Sequence, residues 1–128
     1  MLRLLIDTHA LLWWFEDSKK IGKQTDSALR NGENEIFVSA VTGWEIAIKS
    51  NLGKLKAPPD LESVILKDGF DTLPLTFFHA RRAGELPLHH RDPFDRMLVA
   101  QAQAEGLTIV TRDEKIALYG VSTLDARE

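Results

Sequence analysis

Short apolar runs alternate with helix-like segments along the whole chain, and that alternation restricts the fold more than any other feature. The strand-like runs are residues 2–6, 35–38, 70–73, 107–110 and 120–123. Apart from Arg3, the first of these is apolar rather than alternating, as expected of a strand buried on both faces. Helical patterns cover residues 9–15, 22–29, 40–50, 76–83 and 93–105, with a further helix running to Lys67 after the break at Pro58-Pro59-Asp60 and a helical turn at 113–117. Boundary residues agree with this division. Ser39 suits a helix N-cap, Asn31-Gly32 a turn, and Gly53 and Gly106 helix ends. Strands alternating with helices predict an α/β domain with a mostly parallel sheet of four to five short strands. With 128 residues and no repeat, low-complexity tract or linker, residues 1–128 are expected to form one domain.

The chain has no cysteine, which removes disulfides, thiolate zinc sites and cysteine nucleophiles together. An acid at position 7 interrupts the N-terminal apolar run too early for a signal peptide, and no stretch reaches the roughly 18 apolar residues of a membrane span. A cytoplasmic protein is the expectation. The formal net charge of −3 argues mildly against phosphate binding. That argument fails if the acids are gathered around a divalent cation, which reverses the local sign.

Ligand sites in parallel sheets form at the carboxyl ends of strands. Asp7 directly follows the first run and Asp113 lies three residues after Val110. Each also suits a helix cap. Two further acids fall on helices. On the 40–50 helix, Val41, Trp44, Ile48 and Leu52 mark an apolar arc that includes Glu45. A carboxylate on a buried stripe needs a partner, a metal or a raised pKa; an i,i+4 pair with Lys49 is the simpler alternative. Asp95 has Leu98, Val99 and Ala102 as angular neighbours. In Asp92-Pro93-Phe94-Asp95, Asp92 suits the cap and Pro93 the first turn, which leaves Asp95 only partly explained. His9, His79, His89 and His90 form no metal-like i,i+4 pair and read as loop or surface residues. No nucleophile elbow or glycine-rich phosphate loop is present.

Four segments carry a family resemblance. They are Leu5-Ile6-Asp7-Thr8-His9-Ala10-Leu11-Leu12-Trp13, the stretch 39–55 with its core Trp44-Glu45-Ile46-Ala47-Ile48-Lys49, then Asp92-Pro93-Phe94-Asp95-Arg96-Met97-Leu98-Val99-Ala100-Gln101, and Thr108-Ile109-Val110-Thr111-Arg112-Asp113. In this order and at this length the chain resembles a PIN-domain ribonuclease of the VapC type, the toxin of a toxin–antitoxin pair. The resemblance implies a three-layer PIN-like fold and an endoribonuclease whose acids Asp7, Glu45, Asp95 and Asp113 hold Mg²⁺ or Mn²⁺. It further implies an RNA substrate, a small antitoxin partner and a homodimer, and it places the Thr111 hydroxyl near the site.

The chemistry is consistent with this. Two carboxylates about 5 Å apart at an effective dielectric of about 20 repel by roughly 3 kcal/mol, so a cluster of four calls for protons or hard cations. A metal there would activate a water for attack on phosphorus. In this scheme Asp7 and Asp95 are the main ligands, Asp113 holds a metal or its water shell, and Glu45 orients or deprotonates the water. Thr8, Lys49, Arg96, Thr111 and Arg112 are candidate substrate contacts, with Arg81, Arg82 and Arg91 further out; solvated surface is the alternative for each cation. Trp13-Trp14-Phe15 cannot be wholly buried on a short helix and reads either as an interface or as partly exposed core. A receiver-type switch domain is disfavoured by a single Asp after the first strand, and an Asp-x-Asp phosphatase by Asp7-Thr8-His9. A module that keeps the fold without the chemistry is disfavoured by four intact acids.

Overall fold

The computed structural model describes residues 1–128. The elements are β1 (Arg3–Ile6), α1 (Thr8–Glu16), α2 (Lys23–Arg30), β2 (Glu35–Ser39), α3 (Ala40–Asn51), α4 (Leu61–Lys67), β3 (Asp71–Leu73), α5 (Phe77–Glu85), α6 (Pro93–Glu105), β4 (Thr108–Thr111) and β5 (Thr123–Asp125). Short 3-10 turns occupy Ser18–Lys20 and Ile116–Tyr119. All five strands are parallel, in the order β3-β2-β1-β4-β5. No helix is long and apolar enough to cross a membrane.

The central strand explains the layering. Leu4, Leu5 and Ile6 are all fully buried. Because side chains alternate across a strand, Leu4 and Ile6 join one apolar cluster with Leu11, Val38, Ile46 and Phe70. Leu5 joins the other, with Val41, Leu98, Val99 and Ile109. Helices thus cover both faces, and the expected three-layer α/β fold is what forms. Chain direction across the sheet reverses at β1, which is hydrogen-bonded to β2 on one side and β4 on the other. The carboxyl ends of β1 and β4 therefore flank a switch point, where open α/β sheets bind ligands.

Several boundaries differ from expectation for local reasons. The expected helical turn at 113–117 begins later, as a 3-10 turn at Ile116–Tyr119. Asp113 instead turns the chain by accepting the Lys115 N–H at 2.9 Å. The last strand starts at Thr123 rather than Gly120, because Gly120 closes that turn at φ 77° and cannot continue as extended chain. On α3 the buried stripe is Val41, Thr42, Glu45 and Ile46, whereas Trp44 and Leu52 are exposed. Glu45 is buried as expected, but on a stripe rotated from the arc that predicted it. Trp13, Trp14 and Phe15 are all half-buried and packed against the first cluster, with Trp14 Nε1 donating to Asp68 Oδ2 at 2.9 Å. That is the core-packing alternative.

Candidate active site

Asp7, the first residue after β1, serves both of its readings at once. It caps α1 by accepting the Ala10 N–H at 2.8 Å, and only 3% of it is exposed. Burial pushes its carboxyl pKa up; hydrogen bonds from Thr111 and the Ala10 N–H oppose that, and repulsion from Asp113 adds to it.

Asp95 is held one turn into α6 by the arrangement its sequence suggests. Pro93 takes the first turn, and Asp92 caps the helix by accepting the Phe94 N–H at 2.8 Å and the Asp95 N–H at 3.4 Å. With capping done by Asp92, the Asp95 carboxylate is left to the site. Its pKa is pushed up to about 7, first by burial and then by the negative charges of Asp92 and Asp7, with His90 opposing.

Asp113 completes the group from the end of β4. Its backbone N–H donates to the Thr111 hydroxyl at 3.0 Å. Burial raises its pKa, but hydrogen bonds from the Lys115 N–H and the His90 ring outweigh this and hold it below the usual carboxylate range. The His90 ring joins the two acids, with Nε2 3.2 Å from Asp95 Oδ2 and 2.7 Å from Asp113 Oδ2. Sequence reasoning missed His90 and placed it on the surface. Its signal was faint: a loop residue with no periodicity, two positions before the α6 cap. Its neighbour His89 turns away and packs on Tyr119.

Donor atoms of His90, Asp95 and Asp113 all lie within 4.8 Å of one another. With Asp7 they line an open pocket of about 490 Å³ that has no apolar residue in its wall and is lined also by His9, Arg112 and Arg127. Oxygen donors of this kind suit Mg²⁺ or Mn²⁺. The raised Asp95 pKa marks a buried carboxylate beside like charges, a cost that a divalent cation would relieve. The donor set therefore fits such an ion.

Glu45 is not in the pocket wall. It is buried behind it, accepting the Thr8 hydroxyl at 2.7 Å and pairing with Lys49 at 2.5 Å. Thr8 in turn lies 3.2 Å from the Thr42 hydroxyl. The hydrogen bond to Glu45 raises the Lys49 pKa, and the charges of Asp92 and Asp95 also contribute, so the ammonium stands near the pocket. The i,i+4 pair anticipated as the simpler alternative is present, and the carboxylate nevertheless reaches Asp95 electrostatically.

The other candidate contacts separate. Thr111 touches Asp7 and Asp113, while Arg112 lines the pocket. Arg96 is engaged elsewhere: its guanidinium donates to the Ala83, Leu86 and Pro87 carbonyls at 2.9, 3.0 and 3.0 Å. It fastens the α5–α6 connection. Arg96→Ala is expected to cost about 2–4 kcal/mol, since three charged hydrogen bonds to backbone carbonyls are lost together. Urea denaturation measures this, and an unshifted midpoint would return Arg96 to the phosphate contacts.

A parallel sheet whose central strands end beside converging carboxylates defines an α/β domain with a candidate metal site at its switch point. The PIN domain family model matches residues 4–121. The chain belongs to the PIN domain family. It is 25% identical over 119 residues, 91% of both chains, to Ribonuclease VapC22 of Mycobacterium tuberculosis. Its fold is similar to a chain of the DNA-bound VapBC complex of Salmonella typhimurium, with a TM-score of 0.73, 18% identity and 98% of each chain covered. It is also similar to a chain of FitAcB from Neisseria gonorrhoeae, with a TM-score of 0.71, 20% identity, and 96% of this chain and 97% of that one covered.

Proposed function

We propose that the protein is a divalent-metal-dependent endoribonuclease and the toxin of a toxin–antitoxin pair. The observation that carries the reading is the convergence of Asp7, Asp95 and Asp113 at the switch point of the sheet. The similarity to Ribonuclease VapC22 supports RNA as substrate. The VapBC and FitAcB relatives support a cognate antitoxin as partner.

Asp95 and Asp113, with Asp7 beside them, would hold Mg²⁺ or Mn²⁺. Such an ion supplies activation of a water and stabilisation of charge on the cleaved phosphate. The protein's own groups prepare this chemistry. The Thr111 hydroxyl and the Ala10 N–H fix the Asp7 carboxylate. His90 holds Asp95 and Asp113 together through one nitrogen. We assign Glu45 the placement of the Lys49 ammonium near Asp92 and Asp95, where it offsets negative charge facing an RNA phosphate.

The test is cleavage of single-stranded RNA by wild type and Asp7→Asn, each with Mg²⁺ and with chelator. Asn keeps the shape and removes the charge. Wild type should cut only with Mg²⁺, and the variant at least about 100-fold more slowly. Cleavage by nuclease-free Asp7→Asn at the wild-type rate would overturn the reading.

A further inference from the structure

Two arginines line the acid pocket, and they differ in one respect. Arg127 is committed: its guanidinium binds Asp125 at 2.9 and 3.0 Å and lies 3.9 Å from Glu114. Arg112 is exposed and forms neither an ion pair nor a side-chain hydrogen bond, although Asp113 follows it directly and Asp7 and Asp95 share its pocket. Instead its guanidinium stands over the Trp13 indole, 5.4 Å from the ring centroid. The ring attracts the cation without neutralising it, since its quadrupole carries no net charge. All five N–H donors remain available to a ligand.

We propose that Arg112 is a phosphate-binding arm for single-stranded RNA entering the acid pocket, and that Trp13 is the positioning residue that keeps this guanidinium clear of the pocket's carboxylates. The proposal rests on the ribonuclease reading and assigns to it a residue-level contact outside the carboxylate cluster. Its placement favours RNA. The arm starts in the pocket wall, so a phosphate approaching the carboxylates passes it. Guanidinium matches phosphate with a two-pronged fork that an ammonium lacks. The track continues outward. Lys20 places its ammonium 5.8 Å from the same indole centroid, and His9, one helical turn before Trp13, lies in the pocket wall. A half-buried indole flanked by two cations suits a strand whose bases are unstacked, because such bases reach aromatic and guanidinium surfaces that a duplex hides.

The experiment pairs cleavage kinetics in Mg²⁺ with fluorescence-polarisation binding of a labelled single-stranded RNA in chelator across a salt series. Arg112→Gln should raise KM about tenfold with a smaller change in kcat, and should lower the salt slope of binding by about one contact. Arg112→Lys should restore the slope but not the full affinity. Trp13→Leu should shift KM and the slope in the same direction, and Trp13→Phe should recover most of both. A purely structural role for Trp13 would lower the melting temperature and leave the slope alone, which would overturn the positioning assignment. An unchanged KM and slope in Arg112→Gln would overturn the arm itself, as would a loss of poly-glutamate binding with RNA binding intact. If wild type cleaves no RNA, the ribonuclease reading fails while the binding series still decides this one.

Discussion

Asp95→Asn is expected to make the metal-free protein more stable above pH 7 and to remove RNA cleavage. In the folded chain Asp95 has a pKa of about 7, against about 3.9 for an unfolded aspartate. The native state therefore binds more protons than the unfolded state between these values, and stability falls as pH rises through that window. At pH 4 the ionisation cost is absent, and the two proteins should differ little. Above pH 7 wild type holds an ionised carboxylate among the charges of Asp92 and Asp7, which Asn avoids. A difference of about three pKa units sets an upper bound of about 4 kcal/mol, reduced in practice because the side chain is 21% exposed. Urea unfolding in chelator at pH 4.5 and pH 8 measures it. A cation reverses the order: Mg²⁺ should raise the melting temperature of wild type at pH 8 by mass action and leave that of Asp95→Asn nearly unchanged. Equal stabilities at pH 8 in chelator would mean that the pocket's charge is already neutralised another way.

The legible part of this site is the part under regular constraint. Asp7 and Asp95 could be located because a strand end and a helix period fix where a side chain points. Pro93 and Asp92 mark the start of α6 so clearly that its bounds match the structure at both ends. Glu45 shows the limit of periodicity. Its burial was anticipated, yet the arc invoked for it contains Trp44, whose ring lies on the helix edge 5.3 Å from that of Phe94. An apolar residue can line the rim of an interface as well as its centre, so the apolar pattern fixes the buried stripe only to within about one residue. His90 and the role of Arg96 were illegible for another reason. Both depend on how the 86–92 connection folds back, which is set by carbonyls accepting from the Arg96 guanidinium and by the Tyr119 hydroxyl accepting the His90 N–H. No short-range pattern encodes those partners. The late start of β5 is a third case, where a left-handed Gly120 overrides a local apolar preference.

Gly22→Ala is expected to be among the most damaging single-methyl changes in the chain. Gly22 has an ordinary backbone conformation, φ −67° and ψ 161°, so the requirement is space rather than flexibility. An added Cβ would stand 2.2 Å from the Glu128 carbonyl carbon and 2.4 Å from the Arg127 oxygen. Both are backbone atoms and cannot rotate away. The segment they belong to is held on both sides. The Ala126 N–H donates to the Thr111 carbonyl at 2.9 Å, while the Gly22 N–H donates to Ala126 at 3.0 Å and the Gln24 N–H to Glu128 at 2.7 Å. Relieving the collision means lifting this segment, which loses the bonds to α2 and exposes the fully buried Ala126. At about 0.5–1.5 kcal/mol per hydrogen bond, plus the lost burial, the cost comes to about 2–4 kcal/mol. It should appear as a lower urea midpoint with little change in slope. A double-mutant cycle isolates the cause. Deleting residues 127–128 removes the atoms that collide, so Gly22→Ala made in the shortened chain should cost far less than in the full one. Simple additivity of the two changes would show that the methyl acts elsewhere.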